Sequence, residues 1–245
     1  MRAVITFHSI DDTDSVLSYS AATLHSLIKG LISSNIPIVS ISSLLADKQK
    51  AGVSFTFDDG VENIYTHVLP LMKRYRFPAH LFLTTSTIGK NNKWPTQPSG
   101  SPCFQMLTWD QIGELAQAGM KVEAHTDTHP WLTRLKDKGI IEECETANVK
   151  IEQYIGAKPE FFAYPYGDYD NRVSKLVNTI YAASFTTELA FLSANSSPNQ
   201  LPRLDSFYLK SPYIHNNLDS LIARSYINSR QKLRQFKALT KCILK

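Results

Sequence analysis

The stretch Val53-Ser54-Phe55-Thr56-Phe57-Asp58-Asp59-Gly60 is a short run of β-branched and aromatic residues that stops at two adjacent carboxylates and a glycine. That composition favours a pleated, buried segment, and the glycine ends it. Similar short runs lie at residues 3–7, 37–39, 79–84, 121–124, 160–163 and 182–185. Between them the apolar residues fall at helical period over 20–34, 61–75, 108–118, 138–155 and 170–178. Asp59 and Thr108 are expected to cap the second and third of these helices. Strands alternating with helices predict an α/β fold, a parallel sheet with crossover helices. Residues 85–106, rich in Gly, Pro, Ser and Asn, read as a long loop.

In a closed parallel sheet, the strand ends and the loops after them form the chemical face. Four strand ends here carry reactive groups. Asp58 and Asp59 repel one another, which is tolerable when a cation neutralises one and the other accepts protons; an ordinary acidic turn is the competing reading. His125-Thr126-Asp127-Thr128-His129 follows the strand at 121–124. Histidines at i and i+4 share one face of a helical turn, a spacing that lets both reach one ion. Joined to an aspartate from another strand end, they supply the two nitrogens and one oxygen that catalytic zinc uses, with a position left open for water. Phe162-Ala163-Tyr164-Pro165-Tyr166-Gly167 ends in a turn able to aim a backbone N–H into a cleft. His8, at the end of the first strand, opens onto the same face. Trp94, Trp131 and Tyr166 offer rings for sugar stacking or for packing, and Trp109 reads as packing alone.

Composition bounds the rest. The chain has 245 residues, 43% of them hydrophobic, enough for the core of one large domain. No apolar run approaches the roughly 18 residues of a membrane span, and the early run is cut short by His8, Asp11 and Asp12, so no cleaved leader is expected. The three cysteines, Cys103, Cys144 and Cys242, form no metal-binding pair and suggest a reducing, cytoplasmic setting. Seven basic residues and no acidic one occupy 220–245; with those seven set aside, 19 basic residues face 22 acidic ones. A mildly acidic body argues against nucleic acid as a partner.

Taken together, Thr56-Phe57-Asp58-Asp59-Gly60, then His125-Thr126-Asp127-Thr128-His129 about 65 residues later, then Phe162-Ala163-Tyr164-Pro165-Tyr166-Gly167, resemble the polysaccharide deacetylases of carbohydrate esterase family 4, the NodB homology domain. The resemblance spans residues 3–205. It implies a single-domain distorted (β/α)7 barrel, placed over residues 1–215, and the charge and period of residues 216–245 read as a basic helix after it. It also implies Asp58 as general base, Asp59, His125 and His129 as ligands of Zn2+ or another divalent ion, and the Tyr166 backbone N–H in an oxyanion hole. The chain departs from the common family pattern by carrying Ala163 where many members have arginine, and by lacking a leucine-histidine motif near the end. Both departures are similar to the biofilm poly-N-acetylglucosamine deacetylases, whose pattern points to His8 as the general acid.

The expected activity is hydrolysis of N-acetyl groups from the sugars of a glycan, with acetate released. An O-acetyl ester, a non-sugar amide, and a carbohydrate-binding barrel without turnover remain open alternatives. Along the basic segment, Leu233, Phe236, Leu239 and Ile243 recur at spacings of three and four, with Arg230, Arg234, Lys237 and Lys241 around them. That pattern predicts either peripheral contact with the inner face of an anionic membrane or an apolar stripe folded back on the barrel.

Overall fold

A computed structural model describes residues 1–243, with the side chains of residues 238, 239 and 241–243 outside the described set. The side chains of Leu239 and Ile243 of the expected stripe, with those of Lys241 and Cys242, and the whole of Lys245, therefore lie outside what is described. Seven parallel strands curl into one sheet: β1 (Arg2–Phe7), β2 (Gly52–Asp59), β3 (Ala79–Leu83), β4 (Met120–Ala124), β5 (Phe161–Ala163), β6 (Ala183–Phe185) and β7 (Leu204–Asp205). Their order is β6-β5-β4-β3-β2-β1-β7. Helices α1 (Ala21–Ser33), α2 (Ile41–Ala46), α3 (Asn63–Tyr75), α4 (Trp109–Gln117), α5 (Asp137–Ile155), α6 (Asn171–Val177), α7 (Pro212–His215) and α8 (Leu221–Ile243) follow or join them. This is the expected (β/α)7 barrel.

Parallel strands covered on both faces must be apolar on both, and β2 is buried at all eight positions. Alternation along it sends Phe55 and Phe57 outward into a cluster with Leu27, Ile64, Val68 and Leu115 of the surrounding helices. Ser54, Thr56 and Asp58 point the other way. Inside, Val4, Phe82, Phe161, Ala163 and Phe185 form a second cluster, plugged from below by Ile41 and Leu44 of α2. A buried polar pair seals that lower end: His80 Nε2 accepts the Ile41 N–H at 2.9 Å, its Nδ1 meets Glu123 at 3.0 Å, and the other Glu123 oxygen accepts the Glu160 and Phe161 amides. Every polar atom there has a partner, so its burial costs little.

The seventh strand is not the one expected. Residues 37–39 make only an isolated bridge, Ile38 to Val53. The ring is closed instead by residues 201–205, where Leu201 pairs with β6 at one end and Leu204 pairs with Ile5 of β1 at the other. Five residues spanning two neighbours are too short for a periodic signal to register. Thr108 caps α4 through a full capping box with Gln111, whereas Asp59 caps nothing: α3 starts at Asn63 with no side-chain cap. In the first turns of α8, Ala223 and Ile227 sit in the core. Among the described residues, no helix is long and apolar enough to cross a membrane.

Candidate active site

The inward period of β2 brings Asp58 to the upper end of the barrel, and the chain then turns sharply. Asp59 has φ 69° and Gly60 φ 95°. A Cβ on Gly60 would lie 2.8 Å from Leu83 Cδ2, so glycine fits there on both counts. Two strands away, the β4 period aims His125 inward, and its Nδ1 donates to the Ala163 carbonyl at 2.7 Å. That bond fixes the tautomer and leaves the Nε2 lone pair facing the centre.

His129 reaches the same point, though not from a helical turn as its spacing suggested. Residues 125–131 form a loop in which Thr126 and His129 both adopt left-handed backbone, φ 67° and 57°. A set of hydrogen bonds holds this costly shape. His129 N–H donates to Thr126 Oγ1 at 3.0 Å; Glu143 of α5 accepts the Asp127 and Thr128 amides at 3.0 and 2.8 Å, and the Thr128 hydroxyl at 2.6 Å. Lys150 and Thr85 hold the Asp127 carboxylate.

Asp59 Oδ1, His125 Nε2 and His129 Nε2 then form a triangle with edges of 3.4, 3.5 and 3.2 Å. A tetrahedral zinc ion with ligands at ~2.0–2.1 Å spaces its donor atoms by roughly 3.3–3.4 Å. The donor set fits such an ion on chemistry as well. Asp59 Oδ1 is buried without a hydrogen-bond donor, and two imidazole nitrogens converge beside it. Burial opposes the charge on Asp59, yet the His125 contact and the neighbouring histidines hold its carboxyl well below the usual carboxylate range. Burial pushes His129 down to about 3, so its nitrogen is unprotonated and available.

Asp58 does not stand alone. Arg203, on the segment that closes the barrel, donates from Nη1 and Nη2 to its two oxygens at 2.8 and 2.7 Å. Asp58 is 2% exposed and Arg203 3% exposed. Burial would raise the Asp58 carboxyl, and the guanidinium, aided by His125 and His8, more than reverses this and lowers it. A carboxylate has four lone-pair sites, so the bidentate pair still leaves acceptor capacity towards the ion site. Arg203 escaped the sequence reading because its only signal is one arginine between Pro202 and Leu204.

These groups line a cleft of about 730 Å³ together with Ser15, Val16 and Leu17 and with Trp94, Gln97 and residues 98–102 of the long loop. His8 and Asp205 also line this cleft. His215 does not: it is buried elsewhere, its Nδ1 against Leu209 O and its Nε2 against Ser26 Oγ.

Tyr166 also lines the cleft, in a left-handed turn at φ 59°. Its hydroxyl accepts from Trp94 Nε1 at 2.8 Å and lies 3.0 Å from Thr96 Oγ1, which donates to the His129 carbonyl at 2.6 Å. The long loop is thus strapped to the loop that carries His129. Trp131 stacks on Tyr166 at 4.1 Å between centroids, and Trp94 lies against His129 at 4.3 Å. Those rings are engaged in packing around a candidate ligand. Trp109 stacks on Tyr154.

A family model described as Polysaccharide deacetylase matches residues 46–182, and the chain belongs to that family of enzymes. The poly-beta-1,6-N-acetyl-D-glucosamine N-deacetylase of Staphylococcus aureus (strain MSSA476) is 24% identical over 202 residues, covering 76% of this chain and 67% of that protein. YxkH of Bacillus subtilis (strain 168) is 27% identical over 153 residues, 62% of this chain and 50% of that protein, so the chain spans about half the length of this relative. The structure titled Streptococcus pyogenes deacetylase PplD in complex with acetate matches with a TM-score of 0.76 at 20% identity, over 90% of this chain and 97% of that one. That likeness establishes the fold.

Proposed function

We propose that the chain hydrolyses N-acetyl groups on the sugars of a polysaccharide, releasing acetate and leaving a free amine. The observation that carries this reading is the buried triangle of Asp59, His125 and His129 beside the Asp58–Arg203 pair, open to a cleft large enough for sugar rings. Similarity to a relative named for poly-beta-1,6-N-acetyl-D-glucosamine favours an N-acetylglucosamine polymer as the substrate.

Asp59, His125 and His129 would hold a divalent ion, zinc by donor type. Such an ion lowers the pKa of bound water towards neutrality and polarises a carbonyl. The protein's own groups supply the remaining steps. Asp58, kept ionised and oriented by Arg203, accepts the proton of the attacking water. The Tyr166 backbone N–H donates to the oxygen of the acetyl group as negative charge develops on it. His8 protonates the nitrogen as the C–N bond breaks, so that an amine leaves rather than an unstable anion.

Acetate release tests the reading. N-acetylglucosamine oligomers should yield acetate, and acetylxylan should yield little. Release from acetylxylan alone would move the activity to O-acetyl esters, and no release from either with one equivalent of zinc bound would leave a binding barrel.

A further inference from the structure

We propose that the outer face of α8 docks on an anionic lipid surface. Helix α8 has two faces with different fates. One packs on the barrel: Ala223 and Ile227 are buried, Gln231 Oε1 accepts the Leu189 N–H at 3.1 Å, and the Arg234 guanidinium lies 5.9 Å from the Tyr208 ring centre. Successive steps of four, four and three residues keep these on one stripe. Ile222, Leu233 and Phe236, three turns and then three residues apart, fall on the opposite side at 3.6 residues per turn. They are 56, 42 and 64% exposed. Leu233 and Phe236, the described members of the apolar stripe seen in the sequence, therefore lie off the stripe that packs on the barrel.

Charge selects what covers it. Arg230, Lys232 and Lys237 are exposed on the same helix, and residues 220–245 hold seven basic residues and no acidic one. A second copy meeting this face would bring two sets of cations together with no carboxylate from the segment to offset them. A nucleic acid would satisfy the cations and leave Leu233 and Phe236 in water. A layer of anionic headgroups over acyl chains takes both, the rings and aliphatic groups entering the boundary and the cations meeting phosphates. Each cation near such a surface strengthens binding roughly fivefold, and salt removes that gain.

The full chain should sediment with vesicles of mixed phosphatidylcholine and phosphatidylglycerol at low salt, far less with phosphatidylcholine alone, and be released as salt rises. Truncation is a poor test, since Ile227 belongs to the core. The exposed pair Leu233→Ser with Phe236→Ser should lower binding by about tenfold or more, and Lys232→Glu with Lys237→Glu should do the same should the apolar variant fail to fold. A wild-type chain left in the supernatant at low salt overturns the proposal. So does binding unchanged by both pairs of substitutions, salt-sensitive binding to single-stranded DNA with none to vesicles, or a dimer in sedimentation equilibrium that Leu233→Ser with Phe236→Ser abolishes.

Discussion

Arg203 grips both carboxylate oxygens of Asp58, at 2.8 and 2.7 Å, from the segment that closes the barrel. Removing one member of a buried pair leaves the other uncompensated, at a cost of roughly 3–5 kcal/mol. Arg203→Met should lower the unfolding free energy by about that much in urea. It should also move the acidic limb of the pH–rate profile upward. The guanidinium favours the ionised carboxylate, so its loss raises the Asp58 pKa, and the base becomes protonated at a higher pH than in the wild type. Asp58→Asn should lower kcat by about 10² to 10⁴ with metal content unchanged. An acidic limb that stays in place in Arg203→Met would remove Arg203 from the control of Asp58.

The grip of Glu143 on the 125–131 loop predicts a second effect. Glu143→Ala frees two amides and one hydroxyl of a loop that carries His129 in left-handed backbone. Groups that orient metal-binding side chains are typically worth about 10- to 100-fold in affinity. Zinc affinity, measured by competition with a chromophoric chelator, should fall within that range while far-UV circular dichroism is kept. Asp59→Ala or His129→Ala should abolish stoichiometric binding. Wild-type affinity in Glu143→Ala would make the clamp irrelevant to the metal.

His8 and His215 should separate cleanly. His8 lies in the cleft with the candidate base and ligands, so His8→Ala should cost most of kcat with melting temperature and metal content retained. His215 is buried and ties Leu209 to Ser26. His215→Ala should therefore cost about 1–3 kcal/mol of stability and little activity. The opposite ranking would return the acid role to the region around His215.

For Tyr166, the proposed chemistry belongs to the backbone and the hydroxyl belongs to the strap. Tyr166→Phe removes the acceptor of the Trp94 indole N–H, a loss of about 1–3 kcal/mol. Limited proteolysis within residues 88–106 should accelerate and Trp94 emission should shift to the red, while kcat on a short soluble substrate changes by less than about tenfold. A far larger fall in kcat with the loop still protected would assign the hydroxyl itself to catalysis.

Six of the seven strands were legible because each is a short apolar run set off from the helical segments; the same signal at 37–39 gave a strand where only a bridge forms. The seventh strand left no readable period, since Leu204 and Asp205 are two residues on the far side of Pro202. Candidate ligands were legible because strand-end position is encoded locally: Asp59, His125 and His129 each follow an apolar run. The device that joins the two histidines was not, because a left-handed Thr126 and a clamp from Glu143, fourteen residues beyond His129, depend on tertiary contacts. Arg203 was missed for the same reason, its partner lying 145 residues earlier.

The seam at residues 201–205 also sets an order of assembly. Asp59, His125 and His129 stand on or just after β2 and β4, joined through β3, all by residue 129. Arg203 is contributed by a late segment whose pairing with β1 joins Ile5 to Leu204. Contacts of such sequence separation carry the largest loop-closure entropy and are the slowest to form. A chain halted before residue 203 would still carry its three candidate ion ligands on β2 and β4, paired through β3, and would lack the cation that makes a buried Asp58 tolerable. On the proposed mechanism, ion capture can precede catalytic competence during synthesis, and turnover reports that the last strand is home.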